Sequence, residues 1–398
     1  MIKVKFVILL SILVLLPLDS KAEDYNVYYA GFSFSGNYSD VQAAGKYTNK
    51  ILQIKNENGL DVVSASLLDS IKNITPPNYK IKLDMADLSQ GSKDAIVMSV
   101  ALDQESYSYE YDPIAKSYLN NIDMYFQIMF YNFDSKKLIA AIPFDVEINV
   151  RSKKEFSEKE IIALIRKYYS EGLSGSGTKQ NAFYTMEKIL NKFILKDKYN
   201  FRIGVTSVSV EDKALAKIPE ALSSNLSALK NIFAQSLSSR LSMHQSIALV
   251  PFMEGMAIGG QMKQRFVNTD EIYNIEVPKP DFNIELTIRG FKKVLVKTSD
   301  VNNLFLYGAY INVKVLQPDL EKVYIDTKLK NANQLKIPTS IKNIDDWRKF
   351  NASLARLFDQ FAVNIVKPTD KYLKLQSKKP NTLKDKLGDL SQVLDKVK

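Results

Sequence analysis

The chain has 398 residues, with 54 Lys and Arg against 44 Asp and Glu, a formal charge of +10, no cysteine and a single histidine. Without cysteine there is no disulfide, no thiolate nucleophile and no residue after a signal to carry a lipid. With one histidine, Ser-His-Asp and Cys-His catalysis and zinc sites of nitrogen and sulfur ligands lack support.

Residues 1–22 read as a cleavable secretory signal. Lys3 and Lys5 supply the positive start, Phe6 to Leu16 is a continuous apolar or small run, and Pro17 breaks it. Ser20 and Ala22 then place small residues before a cut between Ala22 and Glu23. The run is shorter than the roughly 20 residues needed to span a bilayer. The expectation is a periplasmic protein, exported and soluble, not a lipoprotein. Losing Lys3, Lys5, Lys21 and Asp19 would lower the formal charge from +10 to +8. That excess could favour anionic membranes or polymers, although the lysines are dispersed. Export and the lack of a dense Arg cluster argue against nucleic acid.

The mature chain reads as two similar α/β halves, 23–198 and 199–367, followed by a linker and tail over 368–398. In the first, Val27–Phe34 alternates as a half-buried strand does. Asp94 leads an apolar strand. Ile122–Phe133 is apolar on both faces, as in a covered central strand, and turns through 134–137 into Leu138–Val150. Ala182–Leu195 closes the half as an amphipathic helix carrying Phe183, Met186, Ile189, Leu190 and Phe193.

The second half repeats the order. Phe201–Val210 alternates; a helix over Pro219–Met243 follows, then a strand over Ile247–Phe252 and a loop over Met253–Met262 holding Gly255, Gly259 and Gly260. Asp281 leads the next strand. Tyr307–Leu316 turns at Pro318-Asp319 into Glu321–Leu329. A helix over Asp345–Ile365 completes it. The expected class is therefore α+β: two tandem α/β sandwich domains, each a mixed sheet covered by long amphipathic helices, with a C-terminal helix. An internal duplication accounts for the repeat; two unrelated α+β domains are the alternative.

The chemistry-bearing candidates are few. His244 falls at a helix end, where capping or simple exposure accounts for it. Gly172-Leu-Ser-Gly-Ser-Gly-Thr-Lys179 approximates a phosphate loop, but its last pair is reversed and no strand precedes it, so a Gly/Ser connector is the better reading. No cofactor, metal or catalytic residue is assigned. Tyr107, Tyr109 and Tyr111 alternate on one strand face and could line a groove between the halves. The sharpest interaction signal is the tail. Leu383, Leu387, Leu390, Leu394 and Val397 form an a/d stripe that must dock onto its own domain, onto a second copy or partner, or else fray.

The helix ending Phe233-Ala-Gln-Ser-Leu-Ser-Ser-Arg-Leu241, the segment Ile247-Ala-Leu-Val-Pro-Phe252, the Asp281-led strand ending at Gly290, Tyr307–Leu316 and the closing helix together resemble a set of Gram-negative envelope domains. These are the curli-secretion channel subunit, the lipoprotein activator of penicillin-binding proteins, the amino-terminal domain of the Tol–Pal β-propeller protein and the flagellar H-ring protein. The likeness covers about 200–367, with a fainter echo in 24–196. It implies a scaffold, activator or secretion component. Lacking a cysteine to lipidate, this chain stands nearer the soluble flagellar and Tol-type members.

The expected function is thus a non-enzymatic periplasmic accessory or assembly protein that meets an envelope protein partner or self-associates. The alternatives are a periplasmic ligand-binding protein for a small molecule or polysaccharide, and a hydrolase using carboxylates alone.

Overall fold

A computed structural model describes residues 25–35, 45–57, 59–84, 94–112, 115–175, 178–254, 260–267, 272–341 and 346–398. The signal segment, the Ala22–Glu23 junction, Gly255 and Gly259 lie outside these residues.

The protein is α+β, with two mixed sheets that each carry helices. In the first, β1 (Tyr25–Phe34) runs parallel to β3 (Ile96–Asp112), and β3, β4 (Ser117–Asn132) and β5 (Leu138–Ser152) form an antiparallel meander. The short β2 (Tyr79–Lys82) pairs with β1. In the second, β8 (Ile203–Val210) runs parallel to β11 (Phe282–Thr298), and β11, β12 (Asn302–Gln317) and β13 (Lys322–Pro338) form the same meander.

The repeat extends to irregularities that topology alone does not require. The pairing slips at Ala30 on β1 and at Thr206 on β8, at Asp103 on β3 and at Arg289 on β11, and at Ile139 on β5 and at Tyr324 on β13. Bulges are kept because they re-aim side chains. The two halves thus share bulges on three pairs of matching strands.

The sequence grouping and the sheets part company at one place. Gly260–Phe266 and Ile272–Val277, which belong to the second half by position, form β9 and β10 and add to the first sheet through β1. The first sheet therefore runs β10-β9-β1-β3-β4-β5. Met262, Phe266, Ile275 and Val277 pack with Met129 and Tyr131 in a small core of their own. This explains why β4 is apolar on both faces. Its other face, with Met124, Phe126, Ile128 and Phe130, belongs to the main core of the first half.

That main core is roofed by α1 (Lys46–Ile51), α2 (Val62–Lys72), α3 (Glu158–Ser170) and α4 (Tyr184–Leu190). Ser157 and Glu160 start α3 with a reciprocal capping box. The closing helix is shorter than Ala182–Leu195, although Phe183, Phe193 and Leu195 remain buried beside it. At the Gly172–Lys179 stretch the described residues form two short antiparallel strands, β6 (Leu173–Gly175) and β7 (Thr178–Gln180).

In the second half, α5 (Asp212–Leu215) and α6 (Glu220–Ser223) precede α7 (Leu226–Gln245), so the expected Pro219–Met243 helix is interrupted before Asn225, whose side chain caps α7. Ile247–Phe252 is not a ladder strand. It makes one parallel bridge, Gly204 to Val250, with Val250 N–H donating to the Ile203 carbonyl at 2.8 Å. A Cβ at position 204 would lie 2.9 Å from the Val250 carbonyl oxygen, so glycine permits this approach.

The helices α8 (Asp346–Val363), α9 (Asp370–Gln376) and α10 (Pro380–Val397) complete the second core. Of the three fates open to the tail, the structure shows the first: Leu383, Leu387, Leu390, Leu394 and Val397 are all buried in the core of their own half. The edge of β13 is sealed with them. Gln376 pairs with both the N–H and the carbonyl of Lys330 at 2.8 Å, and the Lys386 ammonium donates to the Asp326 carbonyl at 2.9 Å.

Candidate functional site

Side chains alternate across the meander, so residues opposite the main core of the first half form a second layer. Ser99 and Asp103 of β3, Asp123, Tyr125 and Gln127 of β4, and Asp145 and Glu147 of β5 share it. Cross-strand register sets Asp123 directly against Glu147 and Tyr125 against Asp145. Like charges directly opposite repel. An acidic sheet face of this kind needs cations or donors from elsewhere, and α7 and α8 of the second half supply them.

Asp145 receives both guanidinium nitrogens of Arg240, at 2.8 and 3.0 Å, and the Ser239 hydroxyl at 2.5 Å. Burial alone would lower the Arg240 guanidinium; attraction to Asp145 reverses that and raises it. Asp103, at the bulge, accepts from Asn231 at 2.7 Å, Gln235 at 3.0 Å and Ser35 at 3.1 Å. Its burial pushes the carboxyl up, and the three hydrogen bonds hold it back. Asp123 retains some accessible surface, yet its carboxyl is surrounded by protein and is pushed up to about 7, chiefly by desolvation and then by Glu147. Asn121, at 2.8 Å, and the charge of Arg348 oppose the shift.

The start of α8 ties the far end of this seam. Arg348 donates to the Leu119 carbonyl at 3.2 Å and to the Asn149 side chain at 2.7 Å, and Lys349 meets Glu110 at 2.6 Å. Two residues before Arg348, Asp346 accepts from Lys293 and from the Tyr307 hydroxyl, each at 2.7 Å. A single helical turn thus touches the long hairpins of both halves. At the opposite end of the seam, Gln264 of β9 is fully buried and donates to Ser33 at 2.7 Å and Ser99 at 2.5 Å.

No family model matches this chain, and no curated protein does. Among solved structures, it is similar to a Xanthomonas campestris protein of family DUF330, at 11% identity and a TM-score of 0.23, over 46% of this chain and 88% of that one. It is also similar to a Helicobacter pylori homologue of neuraminyllactose-binding hemagglutinin, at 12% identity and a TM-score of 0.23, over 39% of this chain and 86% of that one. At these scores neither likeness bears on function.

The sequence candidates are dispersed. His244 ends α7 and bonds Asp359 of α8 at 2.7 Å, a surface link between helices. Tyr107, Tyr109 and Tyr111 lie on the face of β3 turned away from α7, so they do not line a groove between the halves. Tyr107 bonds Asn120 at 2.6 Å, and Tyr111 lies with its ring 4.9 Å from that of Tyr118. The tail stripe is occupied by its own core and offers no free face. Among the described residues no group of three or more His, Cys, Asp or Glu side chains could hold a metal ion, and no helix is long and apolar enough to cross a membrane.

Two of the buried acids, both on β3, carry no motif in the sequence. One is Asp103. The other is Glu105, just past the bulge on the opposite face, which accepts from the Thr48 N–H at 2.9 Å, the Thr48 hydroxyl at 2.8 Å and the Tyr47 N–H, and so fixes the start of α1. Burial pushes Glu105 up to about 7, against the pull of those donors. The available signal was acidic residues inside an otherwise apolar strand, Asp103 and Glu105 following Ile96–Leu102.

Proposed function

We propose that the protein is a non-enzymatic periplasmic accessory or assembly factor of a Gram-negative envelope machine, acting through its outer surfaces on a protein partner. The observation that carries this reading is the closed seam. Where a two-domain binding protein or hydrolase would place a cleft, Asp103 and Asp145 are held by side chains of α7. The exported character read from residues 1–22 and the resemblance to envelope domains support the same reading. The test is a photo-activatable cross-linker placed at Asn312 or Lys314, on the helix-free face of the second sheet, in the native host. A discrete adduct with one envelope protein is expected. Cytoplasmic retention of the chain, or no adduct from positions spread over the surface, would reject the proposal.

A second reading, a small-molecule binding protein, is favoured by one feature. A cavity of about 260 Å³ opens between α4 and the end of α7, floored by Ile142, Phe193 and Met243 and rimmed by Lys188 and Lys192. An anionic amphiphile would suit it. A thermal shift with medium-chain carboxylates that disappears in Lys188→Gln/Lys192→Gln would support this reading; an unchanged melting curve would count against it.

A further inference from the structure

The long hairpins outrun the rest of their sheets. β8 pairs with β11 only as far as Val210 opposite Ile288, so β11 continues from Gly290 to Thr298 without that neighbour. Over this stretch the hairpin becomes apolar on both faces. Val294 faces Leu306 on one side; on the other, exposed Leu295 continues a row with Phe305 and Leu335, which are themselves half-buried against the second core. Val294, Leu295 and Val296 are 39%, 52% and 50% exposed, and Val301 at the turn is 68% exposed. Lys292, Lys297 and Lys336 are exposed along the same arm.

The equivalent hairpin of the first half lies at the same end of the molecule, because the first turn of α8 touches both arms. It carries Tyr109 and Tyr111, 44% and 48% exposed, with the Tyr118 ring 6.0 and 4.9 Å from theirs.

We propose that these two arm ends form a surface that seats in the headgroup region of an anionic lipid bilayer. This inference stands apart from the assembly role, since it concerns what the arms touch and not which protein the body meets. Three physical features select lipid. Apolar side chains on both faces of a projecting arm suit a wedge surrounded by acyl chains, whereas a protein groove covers one face. Exposed tyrosines fit the bilayer interface, with an apolar body and a polar tip. Exposed lysines beside the apolar residues complement anionic headgroups, and binding of this kind adds buried apolar area to electrostatic attraction.

The experiment is co-sedimentation of the processed protein with vesicles of phosphatidylcholine containing phosphatidylglycerol, compared with phosphatidylcholine alone, at low and at raised salt. We expect binding to the anionic vesicles that weakens with salt. Lys297→Gln should lower affinity about fivefold, the effect of one surface lysine. Leu295→Asp/Val301→Asp should abolish binding while leaving the thermal unfolding curve in place, since both side chains are exposed. Absence of sedimentation with anionic vesicles, or wild-type binding by the double variant, would overturn the proposal. So would loss of a lipid-free dimer in the double variant as its only defect, which would make the arm a contact between copies of this chain.

Discussion

Arg240 of α7 and Asp145 of β5 hold each other through two parallel hydrogen bonds of 2.8 and 3.0 Å, and this pair joins the two halves across a half-buried seam. Planar two-point pairing is specific to the guanidinium. Removing only Arg240 leaves Asp145 without its cation on an already acidic sheet face. Arg240→Ala should therefore destabilise by about 2–3 kcal/mol, and Arg240→Lys should recover less than half of that. The double variant with Asp145→Ala should be less destabilised than the two single losses summed, as urea unfolding of the four proteins will show.

Asp123 gives the seam a pH dependence of definite sign. Its folded-state pKa stands at about 7, above the value of 3.8 expected for a free Asp. Between these values the folded state binds more protons than the unfolded state, so this group's contribution is most favourable below pH 4 and is lost as pH rises toward 7. Glu105 acts in the same direction from 4.5 to about 7. Asp123→Asn should raise stability at neutral pH by about 1 kcal/mol or more and flatten this part of the profile. Melting temperatures across that pH range provide the measurement; a neutral-pH loss in Asp123→Asn would reverse the assignment.

The tail is a structural element of the second half. Leu387 is fully buried, and Leu387→Ala should cost about 2–5 kcal/mol through lost burial and the cavity left. Gly388 is on the exposed face of the same helix, with open space where a Cβ would stand, so Gly388→Ala should stabilise by about 1 kcal/mol. Chemical denaturation distinguishes these opposite signs.

Gln264 fixes the added hairpin. Gln264→Ala leaves the hydroxyls of Ser33 and Ser99 without this donor inside the first sheet and should cost about 1–3 kcal/mol. Hydrogen exchange should then show β9 and β10 opening ahead of the rest of the sheet.

The local periodicities were readable from the chain. Alternation located β1 and β8, and apolar spacing of three and four located α8, α10 and most of α7, because each element's own residues create its buried stripe. What the sequence did not disclose depends on distant partners. The apolar doubling of β4 was legible, but its second cover is β9 and β10, more than a hundred residues away. The Ile247–Phe252 segment has strand composition, yet only one bridge is available beside β8. The tail stripe was recognised without its docking surface, which is built by the β13 edge and the core of the second half. The seam was missed because Asp103, Asp145 and Arg240 carry no fixed spacing; their meaning arises only when the halves meet.

The seam and the hairpin of β9 and β10 should couple the two halves into one cooperative body. Scanning calorimetry of the chain from residue 23 onward is the deciding measurement. A single transition is expected, with calorimetric and van't Hoff enthalpies that agree, separating into two when Arg240→Ala is combined with Gln264→Ala. Two resolved transitions in the unmodified protein would contradict it.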